Sequence, residues 1–199
     1  MKLIFLRHGP TVTPGVYAGS SDVALAPGGM DAMWRATDGL DADAVLSSPL
    51  SRCLDFARAW SQRHACPLTV DPAWRELGFG DWEGHTAREL LETAPAQIEA
   101  FWRDPWAHPP PRGEPLDAAQ ARLRAALDAL PAQHAPEITL LIVTHGGVMR
   151  LLFRLLLGLP PDALWRLELH PAARMDFVLD ESGARLQRFD HGTAQEKPA

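Results

Sequence analysis

Three short polar stretches carry the residue types that phosphate chemistry asks for: Arg7-His8-Gly9, Ser47 to Arg52, and His145-Gly146-Gly147. An imidazole can attack phosphorus through an unprotonated nitrogen. A guanidinium offers a two-pronged grip on phosphate oxygens. A Gly-Gly turn at a helix start brings bare amides and the positive end of the helix dipole to an anion. Two arginines, two histidines and a helix start make a phosphate pocket if the chain brings them together. Taken singly, each has a structural reading as well: a histidine after a strand or an arginine at a helix start is commonly a surface or packing residue.

The elements around these stretches predict that they do meet. Leu3 to Leu6, Ala44 to Leu46 and Ile138 to Val143 are short apolar runs that read as strands buried on both faces, and each ends at one of the polar stretches. Ligands gather beyond the carboxyl ends of strands in open α/β sheets. Ser48 is placed to cap a helix from about Pro49 to Arg63, with Pro49 in its first turn. A second helix is expected from Val148 to Leu157, stopped by Gly158 and Pro160. Ala87 to Arg103 reads as helical with a break at Pro95. Pro115 to Leu130 reads as an amphipathic helix with Leu116, Ala119, Leu123, Ala126, Leu127 and Leu130 on its apolar face. The proline-rich Asp104 to Pro115 is expected to be an extended, stiff loop, and Arg174 to Leu179 with Ala184 to Phe189 a final hairpin. The expected architecture is an α/β three-layer sandwich: a mostly parallel central sheet, helices on both faces, and a helical insertion (about 86–131) over the site. One domain is expected over 1–190, with 191–199 a disordered tail.

With 199 residues, 46% hydrophobic and 22% charged, the chain suits one globular core. A net charge of -6 argues against an extended grip on nucleic acid. Cys53 and Cys66 form no C-x-x-C pair, and no run approaches a membrane span, so a cytoplasmic protein with no membrane partner is expected. The remaining histidines show no metal-ligand spacing, and neither metal nor other cofactor is expected.

LRHGPT (Leu6 to Thr11), SSPLSR (Ser47 to Arg52), ELGFGDWEG (Glu76 to Gly84) and THGGVMR (Thr144 to Arg150) resemble, in order, four signatures of the histidine phosphatase superfamily, which contains the cofactor-dependent phosphoglycerate mutases. The resemblance covers roughly residues 1 to 157. It implies a phosphohistidine mechanism with His8 as nucleophile, Arg7 and Arg52 as phosphate clamps, and His145 as the second pocket histidine. Gly146 is expected to add its amide to the phosphate site. Glu76 matches the proton donor, in preference to the nearby Asp81 and Glu83. Pro10, Pro14 and Ser20 stand where the family commonly has glutamate, asparagine and arginine. Together with the missing arginine-rich segment that grips phosphoglycerate in the mutases, they favour a phosphatase over a mutase.

ELGFGDWEG followed by Phe101 to Leu116 looks most like the alpha-ribazole phosphatase branch, whose members remove the 5'-phosphate from cobalamin precursors. Phe79, Trp82, Phe101, Trp102 and Trp106 cluster in the stretch expected to cover the site, where aromatic walls suit a flat base. Thr11, Ser20, Trp82 and Trp106 are therefore the expected substrate contacts. Alternatives are a broad-specificity phosphatase for small phosphate esters, a phosphoglycerate mutase, or an inactive module that binds phosphorylated ligands. The sequence leaves the assembly open, with a homodimer among the candidates.

Overall fold

The computed structural model describes residues 1–192; the expected tail beyond His191 and Gly192 lies outside the described residues. Six strands form one sheet: β1 (Lys2–Arg7), β2 (Ala44–Ser47), β3 (Leu68–Val70), β4 (Thr139–Thr144), β5 (Arg174–Asp180) and β6 (Gly183–Asp190), in the order β3-β2-β4-β1-β5-β6. The first four run parallel, and β5 and β6 close one edge antiparallel. The order makes β2, β4 and β1 direct neighbours, so the three polar stretches emerge side by side.

Alternation along the strands explains the layers. Leu3, Phe5, Leu46, Leu140 and Ile142 face one apolar cluster, and Ile4, Leu6, Val45, Leu141 and Val143 face the other. On the second side pack α1 (Gly29–Ala36) and α2 (Ser51–His64), through Met33, Phe56 and Trp60. On the first side lie α3 (Ala87–Thr93), α4 (Pro95–Arg103), α5 (Leu116–Gln133) and α6 (Gly146–Leu157), with Leu90, Ile98, Phe101, Leu123 and Leu152 buried. The fold is the three-layer α/β sandwich expected from the pattern. No helix among the described residues is long and apolar enough to cross a membrane.

Three local expectations need correction. α2 starts at Ser51 and not at Pro49, because Leu50 keeps an extended backbone (φ -71°, ψ 137°); the Ser48 hydroxyl accepts the Leu50 amide at 3.3 Å and contacts His145 Nε2 at 2.7 Å. Asp22 supplies the cap from outside: its Oδ1 accepts both the Ser51 amide and the Ser51 hydroxyl at 2.8 Å. Asp104 to Pro115 is a series of turns. The Asp104 carboxylate accepts the Trp106 and Ala107 amides, and the loop docks through Asp81 N to Pro111 O (2.9 Å) and Glu114 N to Gly78 O (2.7 Å). His191 and Gly192 are tied down, His191 O accepting the His170 amide at 2.7 Å. α1, of eight residues, and β3, of three, lie outside the expected elements.

Candidate active site

The strand ends are pinned before any side chain is considered. The His8 amide donates to Thr144 O and its carbonyl accepts from the Ala172 amide, both at 3.0 Å. Ser48 N reaches Val143 O at 3.0 Å, and the Thr144 hydroxyl donates to Trp74 O at 2.7 Å. Above these ends lies a cavity of about 320 Å³, walled by Arg7, His8, Thr11, Arg52, Glu76 and Gly146 at its polar end.

His8 is 8% exposed, and its Nδ1 lies 2.8 Å from Gly9 O. A carbonyl only accepts, so Nδ1 carries the proton and Nε2 keeps its lone pair. Burial first, then the charge of Arg7, pushes the His8 pKa down to about 3, despite the opposing bond to Gly9, and Arg52 adds to the depression. The ring is neutral near pH 7.

His145 is fully buried, its ring centroid 5.3 Å from that of His8. Arg52 Nε donates to its Nδ1 at 3.2 Å, which fixes the proton at Nε2, 2.7 Å from Ser48 Oγ. Burial, then His8 and Arg52, holds its pKa well below the ordinary histidine range. His145 forms the layer beneath the cavity floor and does not line the cavity itself. Cys53 Sγ donates to Thr144 O at 3.3 Å and packs beside the same ring; burial pushes its thiol pKa up, consistent with an inert side chain.

Arg52 does two jobs at once. Besides holding His145, its Nη1 donates to Ser21 O at 2.7 Å and its Nη2 to Ala18 O and Gly19 O at 2.8 and 3.0 Å. Glu83 completes the clamp on this turn, accepting the amides of Gly19, Ser20, Ser21 and Phe79 and the hydroxyls of Ser20 and Ser21. Burial alone would raise the Glu83 pKa, but the Ser21 hydroxyl and the amides bring it below the usual carboxylate range. Arg7 donates from Nη1 to Leu169 O at 2.5 Å, while its buried Nε has no partner among the described residues. Burial lowers its pKa to about 10, so it stays cationic at neutral pH.

Glu76 changes the reading of the helix start. Its carboxylate accepts the Gly147 and Val148 amides at 3.1 and 3.2 Å and the Leu77 amide at 3.0 Å. The protein's own acid thus takes two of the first amides of α6, at a cavity wall formed by Gly146 and Gly147. This packing requires glycine: a Cβ on Gly147 would stand 2.6 Å from Glu76 Oε1 and 2.8 Å from Leu77 Cδ1.

Of the expected substrate contacts, Thr11 lines the cavity and three do not. Ser20 is exposed, its amide and hydroxyl given to Glu83. Trp82 is buried behind the wall, 5.6 Å from Tyr17 and 5.2 Å from Phe101. Trp106 lies under the Arg154 guanidinium at 5.0 Å, away from the cavity. Asp81 pairs with Arg112 at the surface. The aromatic lining comes from Tyr17, Phe79, Phe101 and Trp165, and a further cation comes from Arg150, which stands in the THGGVMR stretch but reads in sequence only as an interruption of an apolar helix. Arg150 follows Gly146 by four residues, the spacing of one helical turn, and that spacing was the available signal.

The model of the histidine phosphatase superfamily (branch 1) matches residues 3–191. The chain is 32% identical over 172 residues to the adenosylcobalamin/alpha-ribazole phosphatase of Escherichia coli (strain K12), covering 83% of each. It is also 32% identical over 172 residues to the glucosyl-3-phosphoglycerate phosphatase of Mycolicibacterium vanbaalenii, covering 81% of this chain and 76% of that protein. Among solved structures, the alpha-ribazole phosphatase of Shigella flexneri superposes with a TM-score of 0.82 at 26% identity, over 99% of this chain and 100% of that one. A mycobacterial glucosyl-3-phosphoglycerate phosphatase complexed with VO3 gives 0.86 at 27% identity, over 96% and 99%. By the match over almost its full length and by the order of its four motifs, the chain belongs to the histidine phosphatase superfamily (branch 1).

Proposed function

We propose that this phosphoric monoester hydrolase removes the 5'-phosphate of alpha-ribazole through a phosphohistidine on His8. The observation that carries the chemistry is the neutral His8 ring. Its Nδ1 is tied to Gly9 O and its Nε2 is free, among cations that oppose protonation. Nε2 attacks phosphorus, the bond from phosphorus to the ribose oxygen breaks, and the electron pair leaves with that oxygen, which takes a proton from Glu76. Water then attacks phosphorus and gives its proton to the Glu76 carboxylate. The nitrogen-phosphorus bond breaks with its pair returning to Nε2, and inorganic phosphate leaves.

Charge spreads over the three equatorial oxygens in both steps, and stabilising it is most of the catalytic work. Arg7, Arg52 and the Gly146 amide supply fixed donors at the polar end of the cavity. His145 acts from beneath the floor, its Nδ1 accepting from Arg52 Nε and its Nε2 held by Ser48. No step calls for a cofactor.

The alpha-ribazole substrate rests on the named relatives and on the aromatic lining, which suits a flat base. The test is phosphate release from a panel of alpha-ribazole 5'-phosphate, phosphoglycerates, sugar phosphates, nucleotides and p-nitrophenyl phosphate. The expected result is the highest kcat/KM for alpha-ribazole 5'-phosphate. Interconversion of phosphoglycerate isomers would make the chain a mutase, and binding without turnover of any ester would make it a recognition module.

A further inference from the structure

The apolar end of the cavity contains a side chain that is neither packed away nor part of the four motifs. Trp165, in the turn Pro161–Arg166, lines the cavity and is 43% exposed. It is supported rather than loose: the buried Phe101 ring meets it at 5.5 Å and 66°, and the Arg150 guanidinium stands 5.9 Å from its centroid. An indole held in place with open surface toward a cavity is a stacking platform.

Arg150 connects that platform to the polar end. A Cβ on Gly146 would lie 3.2 Å from Arg7 Cζ and 3.4 Å from Arg150 Nη1, so the two guanidinium groups flank the same residue of the cavity wall. Arg150 makes one long contact, Nη1 to Gly146 O at 3.4 Å, and its buried Nε has no partner among the described residues. Among the described residues its guanidinium thus keeps donor capacity beyond that one contact, between the Gly146 wall and the indole. Tyr17 and Phe79, 4.9 Å apart and edge to face, add further aromatic lining.

We propose that Trp165 and Arg150 form the leaving-group subsite, Trp165 stacking on a planar heterocycle and Arg150 donating hydrogen bonds to the sugar that joins it to the phosphate. The subsite selects phosphorylated glycosides of flat bases over bare sugar phosphates. This rests on the phosphatase reading above and identifies which side chains set its specificity.

The experiment compares kcat/KM for alpha-ribazole 5'-phosphate and for ribose 5-phosphate in the wild type, Trp165→Ala, Trp165→Phe and Arg150→Gln. Stacking of one base on one aromatic ring corresponds to about 5- to 160-fold. The ratio of the two values is expected to fall by at least about 5-fold in Trp165→Ala and to recover in large part in Trp165→Phe. Arg150→Gln should lower both sugar esters relative to p-nitrophenyl phosphate. The inhibition constant of dephosphorylated alpha-ribazole should rise in Trp165→Ala, a readout independent of turnover. A ratio near one in the wild type, or an unchanged ratio and inhibition constant in Trp165→Ala, overturns the subsite while leaving the phosphatase reading standing. Absence of phosphate release from every ester would instead overturn that reading, and the subsite with it.

Discussion

At the floor of the cavity, His8, Arg52 and Glu76, with His145 directly beneath them, are each 8% exposed or less, and every one is tied to backbone or to another of these residues. At the rim, Trp165 is 43% exposed and Arg150 Nε has no partner among the described residues. The floor stands on the ends of three adjacent parallel strands; the rim is assembled from the 11–17 loop, α4, α6 and the turn before β5. The floor is pre-organised for one chemical event, whereas the rim presents unspent recognition surface. Preorganised donors cost no reorganisation when charge develops, which is why chemistry belongs at the floor. Discrimination between leaving groups needs free surface, which is why it belongs at the rim.

This division makes floor variants lower turnover for all esters alike. The largest effect is expected for His8→Ala, a loss of at least about 10⁴-fold in kcat, because the nucleophile itself is gone. Phosphate release from p-nitrophenyl phosphate measures it. Arg52→Ala should cost about 10²- to 10³-fold, the usual effect of removing one charge-stabilising donor. The same variant frees the carbonyls of residues 18, 19 and 21, so faster amide exchange in that turn should accompany the loss. If kcat stays near normal, Arg52 serves the turn and not the phosphate.

Gly147→Ala sharpens the role of Glu76 without touching its charge. A methyl 2.6 Å from Oε1 must displace the carboxylate. A misplacement on the order of 1 Å can cost about 10²-fold, visible in kcat for esters with poor leaving groups. For p-nitrophenyl phosphate, whose leaving group needs no proton, the loss should be smaller. Equal losses would contradict Glu76 as the proton donor.

The smallest effect concerns stability. Unfolded His8 binds a proton near its ordinary pKa of about 6.5, and folded His8 only near 3. Between those values the unfolded state holds more protons, so stability falls as pH falls. From pH 7 to pH 5 the His8 contribution to unfolding free energy should drop by about 2 kcal/mol, and His145 acts in the same direction. Urea unfolding at both values measures it, and His8→Asn should flatten the difference.

The same floor and rim divide what the sequence makes legible. Each floor residue stands next to a recognisable strand end or within a short motif, and apolar runs such as Ile138 to Val143 announce where the strands are. At the rim, Arg150 stands inside a motif but reads there as an interruption of an apolar helix, and Trp165 carries no marker at all. Trp165 lies in a short turn without periodicity, so its position depends on how that turn packs on Phe101. Trp82 and Trp106 look equally suited to a cavity wall in sequence, yet tertiary packing sends one into the core and the other under Arg154. Glu76 on the amides of α6 and Asp22 on the start of α2 are long-range caps, which local pattern cannot reveal. The proline-rich loop follows the same logic: its composition suggests extension, but the Asp104 side chain and the 78–81 backbone fold it into turns.

The central claim is a covalent phosphohistidine on His8. Enzyme mixed with a phosphate ester labelled in its phosphoryl group and quenched within milliseconds in alkali, which preserves the acid-labile nitrogen-phosphorus bond, should carry the label on the peptide containing His8, and His8→Ala should carry none. Label on a serine, or full turnover with no labelled intermediate in the wild type, would contradict the account.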